Sequence, residues 1–329
     1  MTTHSFPRLV ADIGGTNARF GWQAAPGDDI THIRNLINAD HAGVAEAVRS
    51  YLLVERLPQP EAMAMGIATP VQGDLIRMTN SPWRFSILGL QAELGLSKLV
   101  VINDFTALAL ALPSLRKPQL RQIAGPCTAL TPEHIRSGPV ALLGAGTGLG
   151  VSGLLPLPGG RWAPISGEGG HVTLAATDAL EAALLDNLRH RFEHVSAERV
   201  LCGNGLAHLY RAVAEVKGHP VLDLGPADIS RLGLNGTDTD AVATLHHFCA
   251  FLGSVAGNLA LTLGARAGVY IGGGILPRWG DFIERSPFHQ RFIAKGRFTD
   301  YLCALPIWLI QAETSPALEG ASRALDQAE

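Results

Sequence analysis

Cysteine is scarce in this chain, and the spacing of the few cysteines excludes the structures that cysteines usually build. Among 329 residues there are four, at positions that form no C-x-x-C pair: Cys127, Cys202, Cys249 and Cys303. A zinc ribbon requires such pairs, and a secreted disulfide framework requires a denser set of cysteines. We therefore expect neither of them, and we expect a protein of a reducing compartment, the cytoplasm.

Charged residues are also scarce, and the sequence has no basic cluster. Charged residues make up 17% of the chain and the net charge is −3, so we expect no nucleic-acid partner. Hydrophobic residues make up 47%, enough to bury a large core, and disorder is not expected. The length of 329 residues exceeds the usual size of one domain and predicts two. Residues 1–8 lack the pattern of a signal peptide.

Only one stretch of the sequence is long and uncharged enough to suggest a membrane span. Residues 248–265 contain no charged side chain, and length alone would admit a transmembrane helix. Small and polar residues such as Gly253, Ser254 and Asn258 interrupt the stretch, and aromatic or basic anchors do not flank both of its ends. The sequence therefore favours a helix buried between layers of the protein, with no membrane partner.

Two common nucleotide-binding fingerprints are absent. Neither glycine-rich turn of the chain is followed by the Lys-Ser/Thr pair of a Walker A motif. The segment Gly144-x-Gly146 lacks the third glycine of a Rossmann fingerprint, and it continues as a strand-like run, Val151–Leu154, instead of a helix. We therefore expect neither of these two phosphate-binding arrangements.

One motif is present twice. An apolar run ends in Asp12-Ile-Gly-Gly-Thr16, and a second run, Val140–Leu143, ends in Gly144-Ala-Gly-Thr-Gly-Leu-Gly150. Each is typical of a buried strand that turns back through glycines and a threonine. Glycine tolerates positive φ and lets another group approach the backbone, and consecutive N–H groups can then face a phosphate. Two such turns predict two related half-domains that hold one nucleotide, although a single glycine turn is often only a tight hairpin.

Strand-like and helical runs alternate along the chain, which predicts a largely parallel sheet covered on both faces. Asp40 is expected to cap a helix that ends near Arg56, and Ser86 to cap the next helix. A turn-rich stretch at 113–118 is the expected domain boundary. The last elements are a strand, Ile307–Ile310, and a helix, Pro316–Asp326, begun by Ser315.

Two aspartates that follow predicted strands are candidates for catalysis. Beside the first glycine turn, Asp12 could share Mg²⁺ with a phosphate, and a turn-forming Asx residue is the alternative. Asp104 follows an apolar strand, at the position where ligands bind in open α/β sheets. It could accept a proton from an attacking hydroxyl, as an aspartate does in phosphoryl transfer, or it could cap the next helix. Asn103 could orient the same substrate.

Further polar residues lie in Gly167-Glu-Gly-Gly-His171. Glu168 can accept hydrogen bonds from hydroxyls and His171 can donate or accept them, which suits a sugar; a solvated loop is the alternative. His190 and His194 match the H-x-x-E-H spacing of zinc proteases, but the charged residues around them favour a solvated helix end. The pair His246-His247 lies in an apolar run and is interpreted as packing.

Taken in order, six segments resemble the bacterial glucokinases of the non-zinc branch, which have the hexokinase–actin–Hsp70 fold. The segments are Asp12-Ile-Gly-Gly-Thr-Asn17, Ile102-Asn-Asp-Phe-Thr-Ala107, Gly144-Ala-Gly-Thr-Gly-Leu-Gly150, Gly167-Glu-Gly-Gly-His171, His194-Val-Ser-Ala-Glu-Arg199 and Gly272-Gly-Gly274. The zinc-binding cysteine cluster of the related repressor and sugar-kinase group is missing. One departure is Cys202-Gly-Asn-Gly205, where relatives often have Ser-Gly-Pro-Gly.

The resemblance implies a function and a set of site residues. It implies ATP-dependent phosphorylation of glucose to glucose 6-phosphate, a step of glycolysis, by a cytoplasmic homodimer that uses ATP and Mg²⁺. Asp104 would be the general base. The sugar would be held by Asn103, Asp104, Glu168, His171 and Glu198. The nucleotide would be held by Asp12, Gly14, Gly15, Thr16, Gly146, Thr147, Gly148, Gly272 and Gly273, with Asp12 reaching Mg²⁺ through water.

The implied fold is α/β: a two-domain actin-like ATPase, a duplicated ribonuclease H-like fold with an active-site cleft between the domains. Residues 1–113 would form a small α/β domain, completed by a C-terminal helix at 312–329, and residues 114–311 would form the large one. The alternatives are a kinase for another hexose or an amino sugar, a sugar-sensing regulator, and an actin- or Hsp70-like ATPase. A regulator would carry a DNA-binding segment before the first turn, and an ATPase would not need Glu168, His171 and Glu198 together.

Overall fold

The computed structural model describes residues 5–128, 131–311 and 316–327. The chain forms two compact units. Its named strands form a five-stranded, a six-stranded and a two-stranded sheet. Unit 1 consists of Met1–Leu115, Leu154–Ser166 and Ala312–Glu329, and unit 2 consists of Arg116–Gly153 and Gly167–Gln311. The domain boundaries that the resemblance implies, 1–113 with 312–329 and 114–311, stay a prediction.

The strands alternate with glycine turns and helices along the chain. They are β1 (Arg8–Ile13), β2 (Asn17–Gln23), β3 (Thr31–Ile37), β4 (Ala62–Ile67), β5 (Leu75–Arg77), β6 (Arg84–Ser86), β7 (Lys98–Asn103), β8 (Leu120–Ala124), β9 (Val140–Ala145), β10 (Leu149–Pro156), β11 (Trp162–Gly167), β12 (Val269–Gly272) and β13 (Ile307–Ile310).

The helices range from single turns to one long buried helix. They are α1 (Val44–Glu55), α2 (Ile87–Glu93), α3 (Asp104–Ala111), α4 (Pro132–Ile135), α5 (Ala179–Arg189), α6 (Ala197–Val200), α7 (Gly203–Val216), α8 (Pro226–Leu234), α9 (Thr239–Leu263), α10 (Phe282–Arg285), α11 (Phe288–Ile293), α12 (Thr299–Cys303) and α13 (Ala317–Gln327). Short 3₁₀ turns lie at Asn38–Asp40, Leu112–Ser114, Lys117–Gln119, Pro158–Gly160, Gly169–His171, Leu276–Trp279 and Gly296–Phe298.

The sheet of unit 1 has the strand order β3-β2-β1-β4-β7. Strands β1, β4 and β7 run parallel to one another, whereas β2 is antiparallel to β1 and β3 is antiparallel to β2. The expectation of a largely parallel sheet is therefore wrong for this unit. The first glycine turn is the reason, since it joins β1 and β2 as a tight hairpin and a tight hairpin is necessarily antiparallel.

The larger sheet has the strand order β11-β10-β9-β12-β13-β8. Strand β12 is parallel to both of its neighbours, β9 and β13, and β8 is antiparallel to β13. Helix α9 contains the uncharged stretch of the sequence, and its Phe248, Phe251 and Leu252 are fully buried in the core of unit 2. The buried helix predicted from the sequence is therefore confirmed. Among the described residues, no helix has the length and apolar character needed to cross a membrane.

Helix α13 completes the core of unit 1 on one face of its sheet. Leu318, Ala321 and Leu325 pack against Val10 of β1 and against the alanines of β4. Helix α1 covers the opposite face through its buried apolar residues. Ser315, the predicted start of the last helix, lies outside the described residues, and the helix begins at Ala317.

The two predicted helix caps have different outcomes. Ser86 caps α2 as expected, because its Oγ accepts a hydrogen bond from the N–H of Gly89 over 2.9 Å. The expectation for Asp40 is wrong, since Asp40 ends a 3₁₀ turn and α1 begins only at Val44. Glu46 explains the later start, because its carboxylate accepts a hydrogen bond from the N–H of Ala42 over 2.6 Å and so satisfies a donor just before the helix.

Candidate active site

The first glycine turn joins β1 to β2 within unit 1. The N–H of Gly14 donates to the carbonyl of Asn17 over 2.9 Å, which closes the hairpin. A Cβ on Gly15 would lie 2.7 Å from Cβ and 2.9 Å from the carbonyl oxygen of Asn80, so this position has no room for a side chain. Neither glycine has a positive φ. The close approach of Asn80, and not an unusual backbone conformation, therefore requires the glycine at position 15.

The two candidate aspartates lie at the carboxyl edge of the parallel strands of unit 1. Asp12 of β1 pairs in register with Gly66 of β4, and Gly66 pairs with Ile102 of β7, two positions before Asp104. Burial and, as a smaller cause, the negative charge of Asp12 together raise the pKa of Asp104 to about 6. A hydrogen bond from the N–H of Phe105, 2.9 Å long, acts against the shift. The register therefore brings the two predicted aspartates together.

Asn103, not Asp104, caps helix α3. Its Oδ1 accepts hydrogen bonds from the N–H groups of Phe105 over 2.9 Å and of Thr106 over 3.3 Å. Asp104 is the first residue of the helix. The alternative reading of Asp104 as the N-cap is thus wrong, because its neighbour performs that role.

Sequence reasoning did not single out Gly66, although this glycine shapes the surroundings of Asp104. A Cβ at Gly66 would lie 3.0 Å from Cβ of Ala107 and 3.4 Å from Cα of Asp104. The start of α3 can therefore approach β4 only because position 66 has no side chain. A glycine inside an otherwise apolar strand was the signal that could have identified it.

The second glycine turn joins β9 to β10 in unit 2, and Glu198 lies against it. The N–H of Leu149 donates to Oε2 of Glu198 over 2.9 Å, and a Cβ on Gly148 would lie 2.5 Å from the same oxygen. The N–H of Gly203 donates to the carbonyl of Gly146 over 2.9 Å. Thr147, between the two glycines, is exposed. Glu198, a residue expected to bind sugar, therefore also supports the turn expected to bind phosphate.

The third glycine segment follows β12 and packs on the end of β9. Gly273 has a φ of +83°, and a Cβ there would collide with the carbonyl oxygen of Ala145. Glycine is required at this position for both reasons. Gly272 pairs in register with Gly144. The register thus places Gly272 and Gly273 beside the second glycine turn within unit 2.

The polar residues of the Gly167–His171 segment and Glu198 come together in unit 2. Nδ1 of His171 lies 3.8 Å from Oε1 of Glu198. The N–H of His171 donates to the carbonyl of Glu168 over 3.0 Å, which closes a 3₁₀ turn. Glu168 and His171 are exposed, and Glu198 is half-buried. Unit 2 therefore presents the side chains of Glu168 and His171 to solvent, and the half-buried carboxylate of Glu198 lies beside His171.

The segment Cys202–Gly205, which departs from the family pattern, contains the N-cap of α7. Sγ of Cys202 accepts a hydrogen bond from the N–H of Gly205 over 3.3 Å, at the start of α7. A cysteine here replaces the capping hydroxyl of a serine, and Gly203 still reaches the second glycine turn. The departure therefore leaves the contact between α7 and that turn intact.

The histidines of the zinc-protease spacing do not share a helix. His190 is the C-cap of α5, and His194 lies beyond the helix, where its Nε2 is 3.0 Å from Oγ1 of Thr173. Over the part of the chain that the structure describes, no three His, Cys, Asp or Glu side chains are grouped so that they could hold a metal ion. His246 packs its ring against Phe282 at 5.3 Å, and burial lowers the pKa of His247. Packing is thus confirmed for this pair.

Comparison with known proteins identifies a family for nearly the whole chain. The family model for glucokinase matches residues 9–328. The glucokinase of Aromatoleum aromaticum is 53% identical over 325 residues, which cover 98% of this chain and 96% of the relative. The resemblance stated from the six sequence segments is thereby confirmed.

Solved structures support the same assignment. A glucokinase from an Antarctic psychrotroph is 37% identical and superposes with a TM-score of 0.86, covering 98% of this chain and 99% of that one. A ROK-family glucokinase from Streptomyces griseus, solved with glucose and AMPPNP, has the same fold at 20% identity, with a TM-score of 0.64 and coverage of 98% and 99%. The predicted fold class, the actin-like ATPase fold, is therefore confirmed, and the chain belongs to the glucokinase family of hexose kinases.

Proposed function

We propose that this chain transfers the γ-phosphoryl group of ATP to the 6-hydroxyl of glucose. Membership of the glucokinase family supports the reaction, and the Streptomyces griseus relative was solved with glucose and an ATP analogue. The observation that carries the proposal is the environment of Asp104, a carboxylate at the carboxyl ends of the parallel strands β1, β4 and β7, with a pKa raised to about 6. A carboxylate with a raised pKa is a stronger base than an ordinary aspartate.

In this reaction Asp104 acts as the general base. The oxygen of the sugar hydroxyl attacks the γ-phosphorus, the bond from this phosphorus to the β–γ bridging oxygen breaks so that ADP leaves, and the hydroxyl proton passes to the carboxylate of Asp104. The hydrogen bond from the N–H of Phe105 holds this carboxylate in place. Phosphoryl transfer passes through a loose transition state, so most of the acceleration comes from positioning and charge stabilisation, and the base has a secondary part.

The side chains proposed to bind the sugar hydroxyls are Asn103, Asp104, Glu168, His171 and Glu198. The three carboxylates accept hydrogen bonds from hydroxyls, whereas the amide of Asn103 and the imidazole of His171 can also donate them. Support comes from the 3.8 Å approach of His171 to Glu198, which sets a donor beside an acceptor. Fixed polar partners reject a sugar that leaves one of them unpaired.

The glycine turns hold the nucleotide. The N–H groups of Gly15 and Thr16, and of Thr147 and Gly148, face the phosphates, and Gly272 and Gly273 lie near the adenosine. The N–H groups of Gly14 and Gly146 close the two hairpins instead, by donating to the carbonyls of Asn17 over 2.9 Å and of Gly148 over 2.8 Å. Support comes from the packing of Asn80 on Gly15 and of Glu198 on Gly148, which immobilises each turn before ATP arrives. A pre-organised turn binds an anion without a cost of reorganisation.

The residues around Asp12 also fit Mg²⁺. Strand register places Asp12 and Asp104 at the carboxyl ends of parallel strands of one sheet, and the negative charge of Asp12 contributes to the raised pKa of Asp104. Mg²⁺ is usually bound by one or two carboxylates together with substrate phosphates and water. Asp12 would hold the ion through water, and the bound ion would neutralise charge on the transferring phosphates.

Assembly and location complete the proposal. A homodimer is proposed from the family resemblance, and multi-angle light scattering after gel filtration would test it. A cytoplasmic location and a role in glycolysis are proposed as well. The four free cysteines support a reducing compartment, and no nucleic-acid or membrane partner is proposed.

A coupled assay with ATP and a panel of hexoses tests the substrate. We expect turnover of glucose, and turnover confined to fructose, mannose or an amino sugar would reassign it. Asp104→Asn should lower kcat by about 10²–10⁴-fold while glucose binding remains measurable by calorimetry. Asp228→Asn is the matched control, because Asp228 is an exposed helix residue that pairs with Arg231 of its own helix at 3.0 Å. A kcat for Asp104→Asn close to the wild-type value would show that Asp104 is not the general base.

A further inference from the structure

One buried side chain holds successive carbonyl groups of the first glycine turn. Nδ2 of Asn38 donates to the carbonyl of Gly14 over 2.8 Å and to the carbonyl of Gly15 over 3.1 Å. The backbone N–H of Asn38 donates to the carbonyl of Thr16 over 2.9 Å. The side chain is only 2% exposed. Asn38 therefore contacts every carbonyl of the segment that the proposed function assigns to phosphate binding.

These hydrogen bonds fix the direction in which the turn presents its N–H groups. In a planar trans peptide the C=O and the N–H point in opposite directions. The carbonyl of Gly14 belongs to the same peptide as the N–H of Gly15, and the carbonyl of Gly15 to that of Thr16. Because Asn38 binds both carbonyls, these two successive N–H groups point away from it, in the arrangement that binds anions.

The opposite end of the Asn38 amide shows which of its atoms the fold needs. Oδ1 is buried and has no hydrogen-bond donor among the described residues. A buried acceptor without a partner costs stability. Rotating the amide would place Oδ1 against two carbonyl oxygens, which is worse. The side chain is thus retained for its two donors.

The turn is also confined by a second residue. Asn80 packs against Gly15 so closely that no Cβ would fit. Asn38 therefore sets the orientation of the peptide planes of the turn, and Asn80 limits the movement of Gly15 within it. The second glycine turn is held differently, by the carboxylate of Glu198 and the N–H of Gly203. A side-chain amide that binds two turn carbonyls is a feature of the first turn.

We propose that Asn38 is the positioning residue of the first phosphate turn, which orients the N–H groups of Gly15 and Thr16 towards the phosphates of ATP. The inference rests on the proposed binding of ATP at this turn. Asn38 itself does not touch the substrate. Its removal should loosen the turn and weaken the binding of ATP, while the binding of glucose is kept.

Asn38→Leu and Asn38→Asp test the proposal. Leucine has a similar size with neither donors nor charge, and aspartate has the same shape with acceptors only. For both variants we expect the KM for ATP to rise about tenfold, which corresponds to the loss of one or two hydrogen bonds, and the KM for glucose to stay within twofold. Asn35→Asp is the matched control, since Asn35 is an exposed residue of β3 whose Oδ1 accepts from Arg19 over 2.8 Å. Its KM values should not change.

The outcomes separate this inference from the proposed function. A wild-type protein that phosphorylates no hexose with ATP would overturn the proposed function before any variant is compared. An active wild type, with both variants folded and a KM for ATP within twofold of its value, would overturn the role of Asn38. If these changes prevent folding, Asn38→Ala removes the same two bonds without added bulk or charge. Calorimetric titration of that variant with AMPPNP should show the same loss of affinity, and an unchanged affinity would contradict the inference.

Discussion

The carboxylate of Glu198 accepts a hydrogen bond from the backbone N–H of Leu149 over 2.9 Å, directly after the second glycine turn. Its other oxygen lies 3.8 Å from the imidazole of His171. One side chain thus contacts both a group proposed for sugar binding and the turn proposed for phosphate binding. A change in its charge and a change in its hydrogen-bonding capacity should therefore have different effects.

Substitution of Glu198 should distinguish these two contacts. Glu198→Gln keeps an oxygen that can accept from Leu149 but loses the charge, so the KM for glucose should rise about tenfold or more and the KM for ATP should change little. Glu198→Ala leaves the N–H of Leu149 without its partner, so the KM for ATP should rise as well. Steady-state kinetics with each substrate varied in turn measures both constants. An equal change in the KM for ATP in Glu198→Gln and Glu198→Ala would contradict the two separate roles of Glu198.

The pH dependence of turnover should report Asp104. The base must be deprotonated, and its pKa is raised to about 6. In the wild type, kcat/KM for glucose should therefore fall tenfold per pH unit below about pH 6 and be level above it. In Asp104→Asn most of the activity should be lost, and the remaining kcat/KM should no longer fall below pH 6. A wild-type profile that stays level down to pH 4.5 would contradict the assignment.

Asp104 should also lower the stability of the ligand-free protein at neutral pH. Its pKa is raised from 3.8 to about 6 in the folded state, so its contribution to stability is present below pH 4 and is lost as the pH rises through 6. The loss is on the order of 2–3 kcal/mol. Asp104→Asn should therefore raise the free energy of unfolding at pH 7.5 and have little effect at pH 4. Urea unfolding at both pH values measures this difference, and a destabilised variant at pH 7.5 would contradict it.

Gly320 should be required for the packing of α13 on α3. A Cβ at this position would overlap the carbonyl oxygen of Ala107. Alanine in a helix is normally favoured over glycine by about 1 kcal/mol, but the backbone cannot yield easily here, so Gly320→Ala should lower the free energy of unfolding by about 2 kcal/mol or more. The exposed neighbour Glu319, changed to alanine, is the control and should have little effect. Thermal and urea unfolding of both variants would show whether the signs are as expected.

Elements with a strong local pattern could be predicted from the sequence. Strand β13 has the limits that the sequence predicts, Ile307–Ile310, because four apolar residues follow a proline. Ser86 caps α2, since a serine before a helix satisfies a free N–H wherever the helix packs. Asp40 does not cap α1, because it lies in a 3₁₀ turn that a long-range contact holds, the hydrogen bond from the N–H of Asn38 to the carbonyl of Thr16, in addition to the local bond between Glu46 and Ala42.

The candidate site shows the same limit. Asp104 could be recognised from its position after an apolar strand. The glycine inside β4 is visible in the sequence, but the role of Gly66, like that of Asn38, could not be predicted, because each acts on a residue that is distant in sequence and is brought close by strand pairing. Asn38, for example, lies 24 positions from the glycine whose carbonyl it binds. No pattern along the chain encodes such a contact without the pairing of β1, β2 and β3.

The position of α13 has a consequence for biosynthesis. Its Ser322 accepts a hydrogen bond from Arg8 of β1, 314 positions earlier. At roughly 5–20 residues per second, a ribosome would release β1 about 15–60 s before α13 emerges. During that time the apolar face of Val10 and the β4 alanines lacks its covering helix and is exposed to chaperones or to other nascent chains. Because translation starts at the N-terminus, we expect the docking of α13 on β1 and β4 to be a late step in the folding of this protein.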